Sequence, residues 1–377
     1  MDFTQDIHDY LDRHRREAFD LLVELAQIPA PSHHEEKRAQ FCLDWLKAQG
    51  AETAYIDEAL NVVYPIGCTG DDPLMVFMAH SDVVFPDTTS LPLTIADGKI
   101  HCPGVGDDTA NVVALLMASK YITELKLIPK DCGILLVVNS CEEGLGNLNG
   151  SRKIMEDFGG RIREFITFDG NASSIVNDAV GSKRYRVEID TEGGHSYGNF
   201  CNRNAIAYLA SMIDTLYTVK VPPIGRTTFN VGTISGGTSV NTIAQHAEML
   251  YEFRSNKREA LAIMERHFTA AIELYRAKGI RVTVTQLGDR PCSGDVDAAL
   301  EAALSQRAAE TVQRHYGIEA QFGAGSTDCN VPLSIGIPAV CVGCAIGHGA
   351  HTREECVEID SLRPGLALAL DLILHHF

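Results

Sequence analysis

Apolar positions in this chain follow two rhythms, and the rhythm changes twice along its length. The segment AFDLLVELAQI, from residue 18, repeats its apolar positions at a helical period and stops at Pro29 and Pro31. EEKRAQFCLDWLKAQG does the same and stops at Gly50, so residues 16–49 read as helices. PLMVFMA (73–79), DCGILLVVNS (131–140) and REFITFD (163–169) are short apolar runs bounded by turn residues, and each predicts a buried strand. Between the first two, Asp107-Asp108-Thr109 precedes ANVVALLMASKYITEL, which predicts a helix. Strands alternating with helices predict an α/β fold with a mostly parallel sheet.

Near residue 180 the texture shifts. KRYRVEIDTEG (183–193) alternates polar and apolar residues, as a half-exposed antiparallel strand does. A helix (AIAYLASMIDTLY), strands TTFNVGTIS and AEMLYEFRS, a helix (REALAIMERHFTAAIELYRAKG) and strand IRVTVTQ follow. After Pro291 the α/β pattern returns, with a helix (AALEAALSQRAAETVQRHYG), a buried strand (IPAVCVG) and a final helix. The expectation is an α/β domain of residues 1–181 and 291–377, with an α+β domain of residues 182–290 inserted into it.

Composition narrows the partners. A chain of 377 residues exceeds one typical core, and 45% hydrophobic with 22% charged residues is ordinary for a folded protein. Acidic residues (50) exceed basic ones (32), for a formal charge of -18. This argues against nucleic acid and anionic membrane and suits a cationic or metal ligand. MDFTQDIHDYLDRHRREAFD has no apolar core of a signal peptide, and no run of about 18 apolar residues predicts a membrane helix. A cytoplasmic location is expected. The 11 cysteines lie mostly in apolar contexts and read as reduced thiols. Cys341-Val-Gly-Cys344 fits C-x-x-C but stands alone, and reads as two buried thiols.

In open α/β sheets ligands bind beyond the carboxyl ends of the strands. His80-Ser81-Asp82 follows the first predicted strand, Glu142-Glu143 the second, Asp169-Gly170 the third, and His348 and His351 the last, with Asp107-Asp108 after a GVG turn. Each has an ordinary explanation alone: a helix cap for Asp107-Asp108, a solvated turn for Glu142-Glu143, a tight turn for Asp169-Gly170. Their joint occurrence is what points to a metal. Two histidines with several carboxylates suit zinc first, with manganese or cobalt as alternatives, and the surplus of carboxylates suggests two ions with a bridging aspartate. The adjacent glutamates pose a puzzle, because neighbouring side chains on a strand diverge.

HSD (80–82), GVGDD (104–108), CEEG (141–144), FDG (168–170) and GAHT (349–352), in this order, resemble the zinc aminopeptidase and amidohydrolase family of peptidase T, glutamate carboxypeptidase, aminoacylase and succinyl-diaminopimelate desuccinylase. GAGSTDCNVPLSIGIPAV (323–340) is most similar to the peptidase T-like members. The resemblance implies that His80, Asp107 and Asp169 bind one metal, and that Asp107, Glu143 and His351 bind the other. It implies that Asp82 orients His80 and that Glu142 is the general base. His348 competes with His351; the spacing HTREECVEI favours His351. The inserted segment resembles the family's lid and dimerisation domain, which implies a homodimer. There His195 would reach a neighbouring subunit's site and stabilise the oxyanion, and Arg254 and Asn241 would hold a substrate carboxylate.

The reading is therefore a dinuclear zinc aminopeptidase acting on di- or tripeptides, with an N-acyl amino acid deacylase as the alternative. A serine hydrolase is a weaker rival, since Gly194-His195-Ser196-Tyr197-Gly198 fits G-x-S-x-G but lacks a buried strand before it and a helix directly after it. A non-catalytic peptide-binding protein is a further weak rival, since loss of Glu142 would be its expected trace and Glu142 is present.

Overall fold

A computed structural model describes residues 3–377. The chain divides into two compact units, residues 1–179 with 294–377, and residues 180–293.

The first unit is built on an eight-stranded sheet. Its order is Tyr55–Ile56, Val62–Ile66, Gly133–Asn139, Leu74–His80, Ile162–Thr167, Ala339–Val342, Ser174–Ala179 and Gln321–Gly325. The four central strands, from Gly133–Asn139 to Ala339–Val342, run parallel, and antiparallel pairings appear on either side of them. Successive side chains go to opposite faces. Phe77, Ala79, Leu136 and Val138 join one core, while Val76, Met78, Leu135 and Val137 join the other. Because both faces are covered, the strands read as unbroken apolar runs rather than as alternation. Helices Gln5–Ala26, Ala110–Glu124, Ala298–Tyr316 and Ile359–Leu374 supply the first core. Ile154 and Leu333, from helices Asn149–Phe158 and Asn330–Ser334, close the second.

Several elements differ from the sequence expectation. The first helix begins at Gln5, well before residue 16, because Ile7, Tyr10, Leu11, Ala18, Leu21, Leu22 and Leu25 form one buried stripe amid polar residues. Strands Val62–Ile66 and Ser174–Ala179 were not foreseen. Nor was a small sheet of Gly347–His348, Cys356–Glu358, Lys99–His101 and Thr94–Ala96, whose strands are too short for a periodic signal. Its first two strands form a hairpin, and the loop between them carries His351.

The second unit is a four-stranded antiparallel sheet in the order Thr227–Gly236, His246–Ser255, Gly181–Asp190 and Arg281–Arg290. Alternate residues Val187, Ile189, Met249, Tyr251 and Phe253 pack with Leu209, Met212, Met264 and Phe268 from helices Ala205–Leu216 and Arg258–Ala277. This core belongs wholly to the unit. Among the described residues, no helix is long and apolar enough to cross a membrane.

Candidate metal centre

Parallel register brings the strand ends together. His80 pairs with Asn139, Met78 with Thr167, and Cys341 with Thr167. The segments that follow, bearing Asp82, Glu142-Glu143 and Asp169, therefore leave one edge of the sheet side by side. A short, wide helical turn at Val105–Thr109 delivers Asp107 to the same place, immediately before helix Ala110–Glu124. Asp107 interrupts the helical backbone of that turn, with φ -118° and ψ 89°. Gly104 has φ 76°, and a Cβ there would stand 2.3 Å from a methyl of Val83, so only glycine fits.

Asp107 is the centre of the arrangement. Its Oδ1 lies 3.1 Å from His80 Nε2, and its Oδ2 lies 3.1 Å from His351 Nε2. His351 Nε2 is also 3.1 Å from Glu143 Oε1, and His80 Nε2 is 3.9 Å from Asp169 Oδ1. One atom each from His80, Glu142 and Glu143 also lie within 4.8 Å of one another. His348 goes elsewhere, 2.8 Å from Glu358 on the exposed side of the hairpin.

Behind these groups stands a layer that fixes them. Asp82, wholly buried, accepts the backbone N–H of Glu142 on Oδ1 and that of Glu143 on Oδ2, each at 2.9 Å. Ser32 donates its hydroxyl to the same Oδ2 at 2.6 Å, and His80 Nδ1 lies 3.4 Å from Oδ1. Asp108 accepts the His80 backbone N–H at 2.9 Å. Glu142 and Glu143 are only 6% and 5% exposed, so the solvated turn is excluded. The strand ends at Asn139 and Cys141 takes a left-handed backbone, φ 58°, so the glutamates do not stand on regular strand backbone and the rule of opposite faces does not bind them.

The electrostatics are those of crowded anions. Burial opposes ionisation of Asp107, yet hydrogen bonds from His351 and His80 hold it well below the carboxylate range. Burial, then the charge of Asp107, pushes Asp169 up to about 7. Hydrogen bonds to Asp107 and Glu143 lift His351 to about 10. Protons on these side chains balance a charge that cations would balance better. The spacing agrees: nitrogen and oxygen ligands about 2.0–2.2 Å from a tetrahedral ion stand roughly 3.3 Å from each other. The donor set thus fits divalent metals, with Asp107 offering one oxygen to each side.

Several supporting residues carried no recognisable signal. Arg38, fully buried, donates to the carbonyls of Ala26, Ile28 and Ser81 and to the Thr109 hydroxyl, tying the segment after His80 to the turn after Asp107. Glu35 accepts the Cys141 backbone N–H at 2.9 Å. Glu355 accepts three backbone N–H groups around Asp107. All three look like surface charges in the sequence.

In the second unit, His195 Nδ1 accepts the backbone N–H groups of Tyr197 and Gly198, each at 3.2 Å, which leaves the ring proton on Nε2. Arg254 forks onto Glu252 with two contacts of 3.0 Å. The exposed Asn241 accepts the Ser239 hydroxyl on its side chain and the Ser196 N–H on its backbone. Ser196 follows a two-residue strand, and the next helix starts only at Ala205, so no nucleophile elbow forms. All 11 cysteines, Cys341 and Cys344 included, are free thiols.

Comparison with known proteins agrees with this architecture. A putative succinyl-diaminopimelate desuccinylase of Mycobacterium tuberculosis is 23% identical over 362 residues, covering 94% of this chain and 97% of the relative. A tripeptidase structure from Staphylococcus aureus aligns with a TM-score of 0.75 at 22% identity, over 95% of this chain and 97% of that one. The aminopeptidase PepT of Bacillus cereus aligns with a TM-score of 0.70, also at 22% identity, over 95% and 98%. Residues 76–375 match the family described as peptidase family M20/M25/M40, and the chain belongs to that metallopeptidase family.

Proposed function

We propose that this chain is a dinuclear metal-dependent hydrolase, with zinc as its metal and di- or tripeptides as substrates cleaved from the amino end. The observation that carries the reading is Asp107, whose two oxygens face two different histidines at 3.1 Å. His80, Asp107 and Asp169 would hold one ion, and Asp107, Glu143 and His351 the other. Ions held there would acidify a water and polarise the scissile carbonyl. Glu142 is the general base: it takes the proton of the attacking water and returns it to the leaving amine. Asp82 keeps Glu142 and Glu143 in place through their backbone N–H groups and orients His80. His195, with its proton on Nε2, donates to the oxyanion, and Arg254 and Asn241 hold the substrate carboxylate. Residues 182–290 serve as lid and homodimer surface, and the protein works in the cytoplasm.

The desuccinylase relative favours a second reading, an N-acyl amino acid deacylase. Dipeptides and N-acyl amino acids both present an amide beside an α-carboxylate. Dipeptides, tripeptides and N-acyl amino acids assayed side by side with zinc, manganese or cobalt separate the two. Peptides should turn over fastest; a preference for acyl amino acids selects the second reading. Glu142→Gln should retain both metals and lose about 10²–10⁴-fold in turnover. Near wild-type rates on every cleaved substrate would remove Glu142 as the base.

A further inference from the structure

Asp107 and His351 must meet although they lie far apart in the chain, on two different loops. One carboxylate joins those loops. Glu355 sits four positions after His351, in the same hairpin loop, and is 1% exposed. Its Oε1 accepts the backbone N–H groups of Gly106 and Asp107, and its Oε2 accepts that of Gly104, all at 2.8 Å. Its own backbone is tied as well: its carbonyl accepts the Cys102 N–H at 3.1 Å, and the next residue, Cys356, pairs with His101.

We propose that Glu355 is a positioning residue that sets where Asp107 stands opposite His351, and through that the affinity of the cation position these two residues share with Glu143. The inference rests on the two-metal reading above. Three charge-assisted hydrogen bonds from consecutive parts of one turn leave that turn little freedom. Glu355 touches neither a proposed metal ligand atom nor the substrate. It acts by holding the Asp107 backbone, as outer partners of metal sites do. An amide cannot replace it, because one of its two terminal atoms would be an NH₂ facing an N–H donor. An aspartate, one methylene shorter, cannot span all three donors.

Metal-free full-length wild type, Glu355→Gln and Glu355→Asp are titrated with zinc in a chelator-buffered series. Bound zinc, kcat and KM are followed, with the thermal midpoint of each metal-free form. Wild type should take up two ions. Because Asp107 serves both positions, both should weaken, but unequally: the position shared with Glu143 and His351 at least tenfold, within the range of about 10–100-fold seen for such partners, and the other by less. Loss of kcat should track the more weakened position, be largely restored by excess zinc, and leave KM little changed. Wild-type affinity at both positions in either variant overturns the proposal. So does equal weakening of both positions with a lowered metal-free midpoint, which would mark a merely structural residue. Amide hydrogen exchange in the metal-free wild type needs no variant: Gly104, Gly106 and Asp107 should be strongly protected, and fast exchange there also overturns it. If wild type binds fewer than two ions, the two-metal reading itself fails, and this inference with it.

Discussion

Asp82 divides its two oxygens between neighbouring glutamates, and that division holds the backbone of both. Because the carboxylate grips both backbone N–H groups at 2.9 Å, neither glutamate relies on its own rotamer alone for its direction. Asp82→Asn keeps the shape but turns one acceptor into a donor that faces an N–H. Turnover should fall at least about tenfold and metal affinity about 10–100-fold, with the far-ultraviolet spectrum unchanged. Unaltered kinetics would show that the grip is dispensable. Arg38 presents the opposite case, a buried cation whose partners are three carbonyls and a hydroxyl. Arg38→Met removes every one of those donors and leaves buried acceptors unpaired, at a cost of about 3 kcal/mol. Urea denaturation measures this directly, and a loss under about 1 kcal/mol would mean that other donors replace the guanidinium. The two candidate histidines also part company only at this scale. His348 and His351 are alike in the sequence, yet the fold puts the first on Glu358 and the second on Asp107 and Glu143.

Elements were legible where burial imposes a period. The runs 73–79 and 131–140 appear as strands Leu74–His80 and Gly133–Asn139, and ANVVALLMASKYITEL appears as helix Ala110–Glu124, buried nearly all round. The start of the first helix was hidden because its stripe of Ile7, Tyr10 and Leu11 lies among charged residues. The hairpin around His351 was hidden because strands of two and three residues have no period to read. Candidate ligands could be picked out because strand ends are where side chains converge. Their supports could not, since Glu355 in REECVE or Arg38 in EEKRAQ looks solvated until the packing is known. Helix Ala298–Tyr316 carries a further, half-buried acid. Glu301 accepts the Ala339 N–H at 3.0 Å, so it joins this helix to a central strand, and burial pushes it up to about 7. Its folded pKa lies above the ordinary carboxylate value, so the folded state binds the extra proton between about pH 4.5 and 7. Its favourable contribution is complete below that window and is lost as pH rises through about 7. Denaturation at pH 5 and pH 8 should therefore show a smaller fall for Glu301→Gln than for wild type. An identical fall in both would assign the slope to other groups.

At the scale of the molecule, the two units differ in what holds them. Every proposed metal ligand lies in residues 1–179 or 294–377, whereas residues 180–293 close their own core with Val187, Met249, Phe253, Met264 and Phe268. A ligand that binds only the folded form stabilises the part it binds. Chelation should lower the thermal midpoint of the first unit and leave that of the second in place. Calorimetry of the full chain, with residues 180–293 expressed alone as the reference, resolves the two. A chelator-sensitive transition in residues 180–293 alone would place a stabilising metal outside the proposed site.

The sheet of that second unit opens and ends on partnered strands, with Ser182 opposite Arg290 in register. Residues directly opposite in an antiparallel pair are about 5 Å apart. To the rest of the chain, more than a hundred residues therefore count as a connection with almost no span, and the entropy of closing it is met inside the inserted unit itself. Such a junction is portable: any domain whose termini meet on neighbouring strands could be spliced between residues 179 and 294 without stretching the parent sheet. A lineage with this architecture can exchange its inserted unit while leaving the strand ends of the first unit where they are.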